Sequence, residues 1–301
     1  KEMALHNEKL LDKALDNFER LHHDVGFMWL LTAGVNYSLT NDALSKETMI
    51  KAGTFLASRF NIEGGYIRAW NGTSQRMRQI AIIDCMMNIP ILYWLSREMG
   101  DDRFKAIAMR HADKVMKMHV REDGSVKHIV QYDEHTGEIV CVEGGQGYNE
   151  NSSWTRGQAW GLYGFTLSYV HTGKKEYLDT AKKIANYFIA ASCNDWLVRS
   201  DFRAPQEPIL YDSTAAMIAA SGLLELSEQV GEYESKMYFD AAVNLLKETE
   251  RNFADWNEDT DGVLDFGSEM YHGGVHKKIV YGDYYFAEAI SKLRSTSHLF
   301  W

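Results

Sequence analysis

Apolar positions along this chain recur at the 3.6-residue spacing of helices, and they do so in two alternating kinds. One kind is amphipathic: Phe104, Ile107, Ala108, Ala112, Val115 and Met116 share one helical face, as do Tyr177, Ala181, Ile184, Ala185 and Phe188. The other is apolar nearly all round, as in Ile89-Pro90-Ile91-Leu92-Tyr93-Trp94-Leu95, and must be buried on most sides. Short turns join them into pairs. Val25 to Leu39, a turn at Thr40–Asn41–Asp42 and Ser45 to Phe60 make the first pair, and Ile82 to Met99, Gly100–Asp101 and Arg103 to His119 the second. Ser153 to Val170 with Glu176 to Ala191, and Ser213 to Val230 with Tyr233 to Phe253, make two more. The span after Val120, with alternating residues and Gly124, reads as a hairpin-like excursion. An inner ring of buried helices wrapped by an outer ring of amphipathic ones satisfies both patterns. The pattern predicts an all-α fold, an (α/α)6 toroid or six-hairpin barrel, with residues 1–301 as a single domain. Residues 3–20 add an outer helix and Gly282 to Leu293 a closing inner one, ten in all where six hairpins need twelve. The count predicts that the first hairpin is missing and the domain N-terminally incomplete. An open horseshoe and a five-pair ring are the alternatives.

Composition narrows the function. A chain of 301 residues with 45% hydrophobic content can bury a sizeable core, and 3 prolines against 23 glycines suit helices punctuated by glycine turns. The formal charge of −10 argues against a nucleic-acid surface but leaves room for a locally basic pocket that takes an anionic small ligand. Cys85, Cys141 and Cys193 are odd in number and lack metal spacing, so neither a disulfide framework nor a zinc site is predicted, and no cofactor is expected. No apolar run reaches transmembrane length and no signal peptide is visible. No membrane partner is therefore expected, and bacterial cytoplasm and periplasm are both compatible.

The chemistry concentrates in the joints that lead into the buried helices. Gly144 to Trp160 reads as a glycine-rich loop delivered onto a helix N-terminus, with Ser152 and Ser153 as N-cap residues. Trp154, Arg156, Gln158 and Trp160 then fall within two turns, where free N–H groups already favour an anion. Aromatic faces stack on sugars and arginine forks onto carboxylates, so the combination suits an acidic saccharide; core tryptophans with a surface arginine are the plainer alternative. Other joints carry Asp24, Trp70 with Arg76 and Arg78, His128, Gln146, Arg203 with Asp212, and His276 with Lys277 and Lys278. Asp24 could serve only as an N-cap, His128 as a solvated loop residue, and the two lysines as surface charges. Asp84 is different, because it interrupts the apolar run Ile82-Ile83-Asp84-Cys85-Met86-Met87. Desolvation there should raise its pKa, which a proton donor at neutral pH requires.

The sequence resembles glycoside hydrolase family 88, the unsaturated glucuronyl hydrolases. The resemblance is carried by His22-His23-Asp24-Val25-Gly26-Phe27, by Ile82-Ile83-Asp84-Cys85 with Asn88, by Ser153-Trp154-Thr155-Arg156-Gly157-Gln158-Ala159-Trp160-Gly161, by Pro205-Gln206-Glu207-Pro208, by Asp212-Ser213 and by Tyr281-Gly282-Asp283-Tyr284-Tyr285. It implies a six-hairpin toroid and an unusual hydrolysis of oligosaccharides released by polysaccharide lyases. Their non-reducing end is a uronate with a C4=C5 double bond, a vinyl ether; protonation at C4 and water addition at C5 give a hemiketal that opens and releases the sugar as a keto acid. By position, Asp84 matches the family's general acid and base and Asp24 its second essential aspartate. His128, Gln146, Trp154, Arg156 and Trp160 match substrate contacts, and Trp70 a stacking residue. Two departures are visible. Gly145 stands where members often carry histidine, and the Gly273 to Lys278 segment is short and basic, which suggests that His276 and Lys278 tune acceptance of sulfated glycosaminoglycan fragments. The expected partners are unsaturated uronic-acid oligosaccharides. An unsaturated rhamnogalacturonyl hydrolase and a non-catalytic saccharide-binding toroid are the alternatives.

Overall fold

The computed structural model describes residues 1–296 and 300–301. Contacts divide the chain into two compact units, one built mainly from residues 1–117 and 130–141, the other from 118–129 and 142–296.

In the first unit, α1 (Glu2–Asp12) is followed by two short 3-10 turns rather than continuing to residue 20. The backbone leaves helical geometry at Asn17, φ −116° and ψ 76°. The first predicted buried helix is interrupted as well: α2 (Val25–Trp29) and α3 (Val35–Thr40) flank a π turn at Leu30–Gly34. Asn41 ends α3 in the left-handed conformation, φ 57°, and Asp42 caps α4 (Ala43–Ser58) by accepting the Ser45 amide at 2.9 Å. Strands β1 (Phe60–Asn61) and β2 (Tyr66–Ile67) pair antiparallel, and α5 (Gln75–Gln79) leads into β3 (Ile80–Ile82). The run from Ile82 is thus not helical from its start. Its β-branched residues favour an extended strand, a 3-10 turn at Ile83–Met87 follows, and α6 (Pro90–Met99) begins with proline at its first turn, where no amide partner is lost. α7 (Asp102–Met118) buries Ala108, His111, Ala112 and Val115, close to the predicted face. The excursion after Val120 contains β4 (Ile129–Tyr132) and β5 (Ile139–Glu143), in a sheet of order β3-β4-β5.

The second unit shows the predicted alternation clearly. α8 (Thr155–Thr172) and α10 (Ser213–Ser227) are buried on nearly every face, whereas α9 (Lys175–Ser192) and α11 (Glu232–Phe253) bury one stripe each. Gly173, φ 68°, supplies the left-handed turn from α8 into α9. Gly222 lets α10 approach α8, since a Cβ there would collide with Leu162. α12 (Val280–Leu293) packs on α10, and Lys292 joins Tyr163, Glu225 and the Ser221 carbonyl with bonds of 2.8, 2.9 and 3.2 Å. No described helix is long and apolar enough to cross a membrane.

Candidate functional site

The first unit carries a carboxylate frame. Asp24 occupies the N-cap position of α2, yet its side chain makes no capping bond, so capping does not account for it. Its Oδ1 instead accepts Asn88 Nδ2 at 3.3 Å and lies 3.4 Å from His23 Nε2, while Oδ2 lies 3.4 Å from His22 Nδ1. Asn88 is wholly buried and works at both ends: Nδ2 also donates to the Asp84 carbonyl at 3.2 Å, and Oδ1 accepts the Phe27 amide at 2.8 Å. One neutral amide therefore ties the Asp24 segment to the 3-10 turn that holds Asp84. Gly26 makes this approach feasible, because a Cβ there would run into the Asn88 backbone. Asp84 is half-buried, flanked by the buried Ile83, Cys85, Met86 and Met87. Burial, then the charges of Asp24 and Asp84, push the Cys85 thiol well up and keep it protonated.

Two further groups hold the frame, and the sequence did not single them out. Arg59 is buried and reaches the carbonyls of Arg68 and Ala69 at 2.9 and 3.0 Å and Asn71 Oδ1 at 2.8 Å. Asn71 in turn donates to the carbonyls of Glu19 and Leu21, and His23 donates its amide to Ala69. The segment before Asp24 is thereby pinned to the one that carries the half-buried Trp70. Burial lowers His23 to about 4, so its ring is neutral at neutral pH. His22, His23 and Asp24 each offer one ligand atom, and these atoms all lie within 4.8 Å of one another. The donor set fits a metal poorly: three consecutive residues supply it, Asp24 Oδ1 already accepts Asn88, and the Asp24 amide points at His22 Nδ1 at 3.4 Å.

The second unit carries an aromatic and cationic cluster. His128 Nδ1 lies 3.1 Å from the Gln146 amide nitrogen and 3.2 Å from the Gly144 carbonyl oxygen, and the ring lies 4.3 Å from that of Trp154. Gly145, φ 59°, is what lets the loop close on this histidine; a Cβ at 145 would collide with His128 Nδ1. Gln146 Nε2 and Arg156 Nη2 converge on one acceptor, the Glu269 carbonyl, at 2.6 and 2.7 Å. The Arg156 guanidinium lies 4.8 Å from the Trp154 ring centre. Trp160 is buried and meets the Tyr285 ring at 5.5 Å. His128, Gln146, Trp154 and Arg156 thus form one group.

The N-cap and Gln158 expectations for the Gly144 to Trp160 stretch need correction. Trp154, not Ser152 or Ser153, is the N-cap of α8, and it makes no side-chain cap; the Thr155 amide goes to the Ser200 carbonyl at 3.2 Å and is not free for an anion. Gln158 does not join Arg156. It is a buried staple that accepts the Val126 amide at 2.9 Å and donates to the Gly124 carbonyl at 2.7 Å. The loop is shaped by Asp201, which sequence reasoning missed: Oδ2 accepts the Tyr148 amide and Oδ1 those of Ser153 and Arg203. His276 is exposed and uses Nε2 to accept the Tyr211 amide at 3.1 Å. Lys278 spends its three donors on Asp255 Oδ2, Thr260 Oγ1 and the Gly262 carbonyl, at 2.6, 3.1 and 3.1 Å. Neither bonds to the Arg156 group.

Comparison with known proteins agrees with the resemblance. No protein-family model matches the chain. The unsaturated glucuronyl hydrolase of Bacillus sp. (strain GL1) is 35% identical over 296 residues, which cover 95% of this chain and 78% of that protein. A solved structure of unsaturated glucuronyl hydrolase from Bacillus sp. GL1, described as responsible for the degradation of glycosaminoglycan, superimposes with a TM-score of 0.95 at 33% identity, covering 100% of this chain and 82% of that one. An aspartate-to-asparagine variant of the Streptococcus agalactiae enzyme, complexed with dGlcA-GalNAc6S, matches with a TM-score of 0.85 at 27% identity, covering 100% of this chain and 76% of that one. The fold class is the all-α (α/α)6 toroid that the helix pairing predicts.

Proposed function

The chain belongs to the unsaturated glucuronyl hydrolases, a family of glycoside hydrolases, and on that footing we propose that it removes a 4,5-unsaturated uronate from the non-reducing end of glycosaminoglycan-type lyase products by hydrating the C4=C5 bond. The observation that carries the proposal is the Asn88 bridge, which fixes Asp24 and the Asp84 turn in one frame without neutralising either acid.

In this reading Asp84 gives its proton to C4, the C4=C5 π electrons form the new C4–H bond, and a lone pair of the ring oxygen stabilises the oxocarbenium-like C5 that remains. The resulting Asp84 carboxylate takes a proton from water as that water adds to C5. The C5 hemiketal opens, C1 becomes a hemiacetal, and its collapse releases the leaving sugar and a keto acid. Asp24 holds the sugar ring and, as a second negative charge, favours the protonated form of Asp84. Arg156 takes the uronate carboxylate, with Gln146 and His128 donating to sugar oxygens and Trp154, Trp160 and Trp70 as apolar walls. For the Streptococcus agalactiae variant, the ligand is a sulfated unsaturated disaccharide; a ligand of that class is proposed here. Asp84→Asn tests the assignment of the acid. It should abolish turnover while leaving the melting curve and disaccharide binding intact, and an active Asp84→Asn enzyme overturns it.

A further inference from the structure

Asp212 stands at the N-cap of α10 with no exposed side-chain surface. Its Oδ1 accepts the amides of Ala215 and Ser268 at 3.4 and 3.3 Å, which fixes the plane of the carboxylate. Oδ2 accepts no hydrogen bond among the described residues and faces Arg156 Nη1 at 3.9 Å. Nη1 likewise makes none, although Nη2 is committed to the Glu269 carbonyl. A direct guanidinium–carboxylate bond would close to about 2.8 Å. Cation and anion are therefore both buried, and each is held by other partners short of contact. Burial pushes the Asp212 carboxyl up, and Arg156 pulls it down.

We propose that Asp212 is a positioning residue that acts through Arg156: a resident anion that offsets the guanidinium charge and competes with the ligand carboxylate for it. The inference rests on the reading of Arg156 as the uronate holder. A buried arginine without a counterion would bind an anionic sugar tightly and release the anionic keto acid slowly. Sharing its charge with Asp212 weakens the grip equally on substrate and product, and so keeps both exchangeable.

Asparagine and serine both cap helices well, so Asp212→Asn and Asp212→Ser remove the charge while keeping an acceptor for the Ala215 amide. In an Asp84→Asn background, calorimetric titration with the unsaturated disaccharide should show about tenfold tighter binding for either substitution, from the lost Coulomb competition. In the active background KM and kcat should fall together, with kcat/KM unchanged or higher. A purely capping role would move none of these constants. A disaccharide whose carboxylate is reduced to an alcohol should gain nothing. Unchanged or weaker binding in the folded variants overturns the inference, as does an equal gain for the reduced disaccharide. Arg156→Gln separates the two levels. If it leaves acid-disaccharide affinity unchanged, the reading of Arg156 fails; if it weakens binding while Asp212→Asn does not tighten it, only the role of Asp212 fails.

Discussion

The Asp24 side chain keeps 36% of its surface exposed, and that of Asp212 keeps none. Asp24 is tethered by a neutral amide and by neighbouring imidazoles, so it pays little desolvation and retains lone pairs for a ligand. Asp212 faces a buried guanidinium, and its remaining oxygen is held by backbone amides. The same side chain thus becomes a candidate reagent in one unit and a counterion in the other, and solvation together with the nature of its partner decides which.

The sharpest way to break that distinction is to neutralise the proposed acid of the first unit. Asp84→Asn should abolish measurable turnover, a loss in kcat of at least the ~10²–10⁴-fold that a positioned general acid–base supplies, with no change in melting temperature. A comparable loss of fold would make Asp84 structural instead.

Acid sensitivity comes next. His23 falls from 6.5 to about 4 on folding because it is buried, so the unfolded chain takes up the proton first. Its contribution is complete above pH 6.5 and is lost as the pH falls toward about 4, at a total cost of about 3 kcal/mol. His119, in the second unit, is lowered to about 3 by burial and adds a loss of the same sign. Proton NMR should show no titration of the His23 ring until the pH approaches 4; titration near 6.5 would mean that the ring is not buried as described.

Backbone approach gives a smaller effect. Gly26→Ala should cost about 1–3 kcal/mol, as overpacking does, because its Cβ meets Asn88 backbone that cannot rotate away. Urea midpoints would read the loss, and kcat should fall with it as the Asn88 bridge opens. Lys278→Ala should do least. Its ammonium is already held by the partly buried Asp255, so the KM ratio for sulfated against unsulfated disaccharides should change by less than about twofold. A larger change is what the sulfate-tuning expectation requires of this residue.

Helix pairing was legible because burial imposes a period: an all-round apolar run such as Ser213 to Leu226 has no other use. The interruption of Val25–Leu39 by a π turn and the extended start at Ile80–Ile82 were not, since both are local and carry little periodic signal. Asp84 stood out because a carboxylate in an apolar run needs a reason. Asp201 and the staple role of Gln158 were hidden because they act on backbone groups far along the chain, at separations no local pattern encodes. Gly145 stood out only as a departure from the family's histidine, and its structural counterpart is room for His128.

The central claim is double-bond hydration, and one assay tests it directly: ultraviolet absorbance of the conjugated uronate followed alongside release of the leaving sugar from an unsaturated chondroitin disaccharide. The account predicts that absorbance falls in step with sugar release and that both vanish in Asp84→Asn. Sugar released while the absorbance persists would mean ordinary cleavage at C1, and would contradict it.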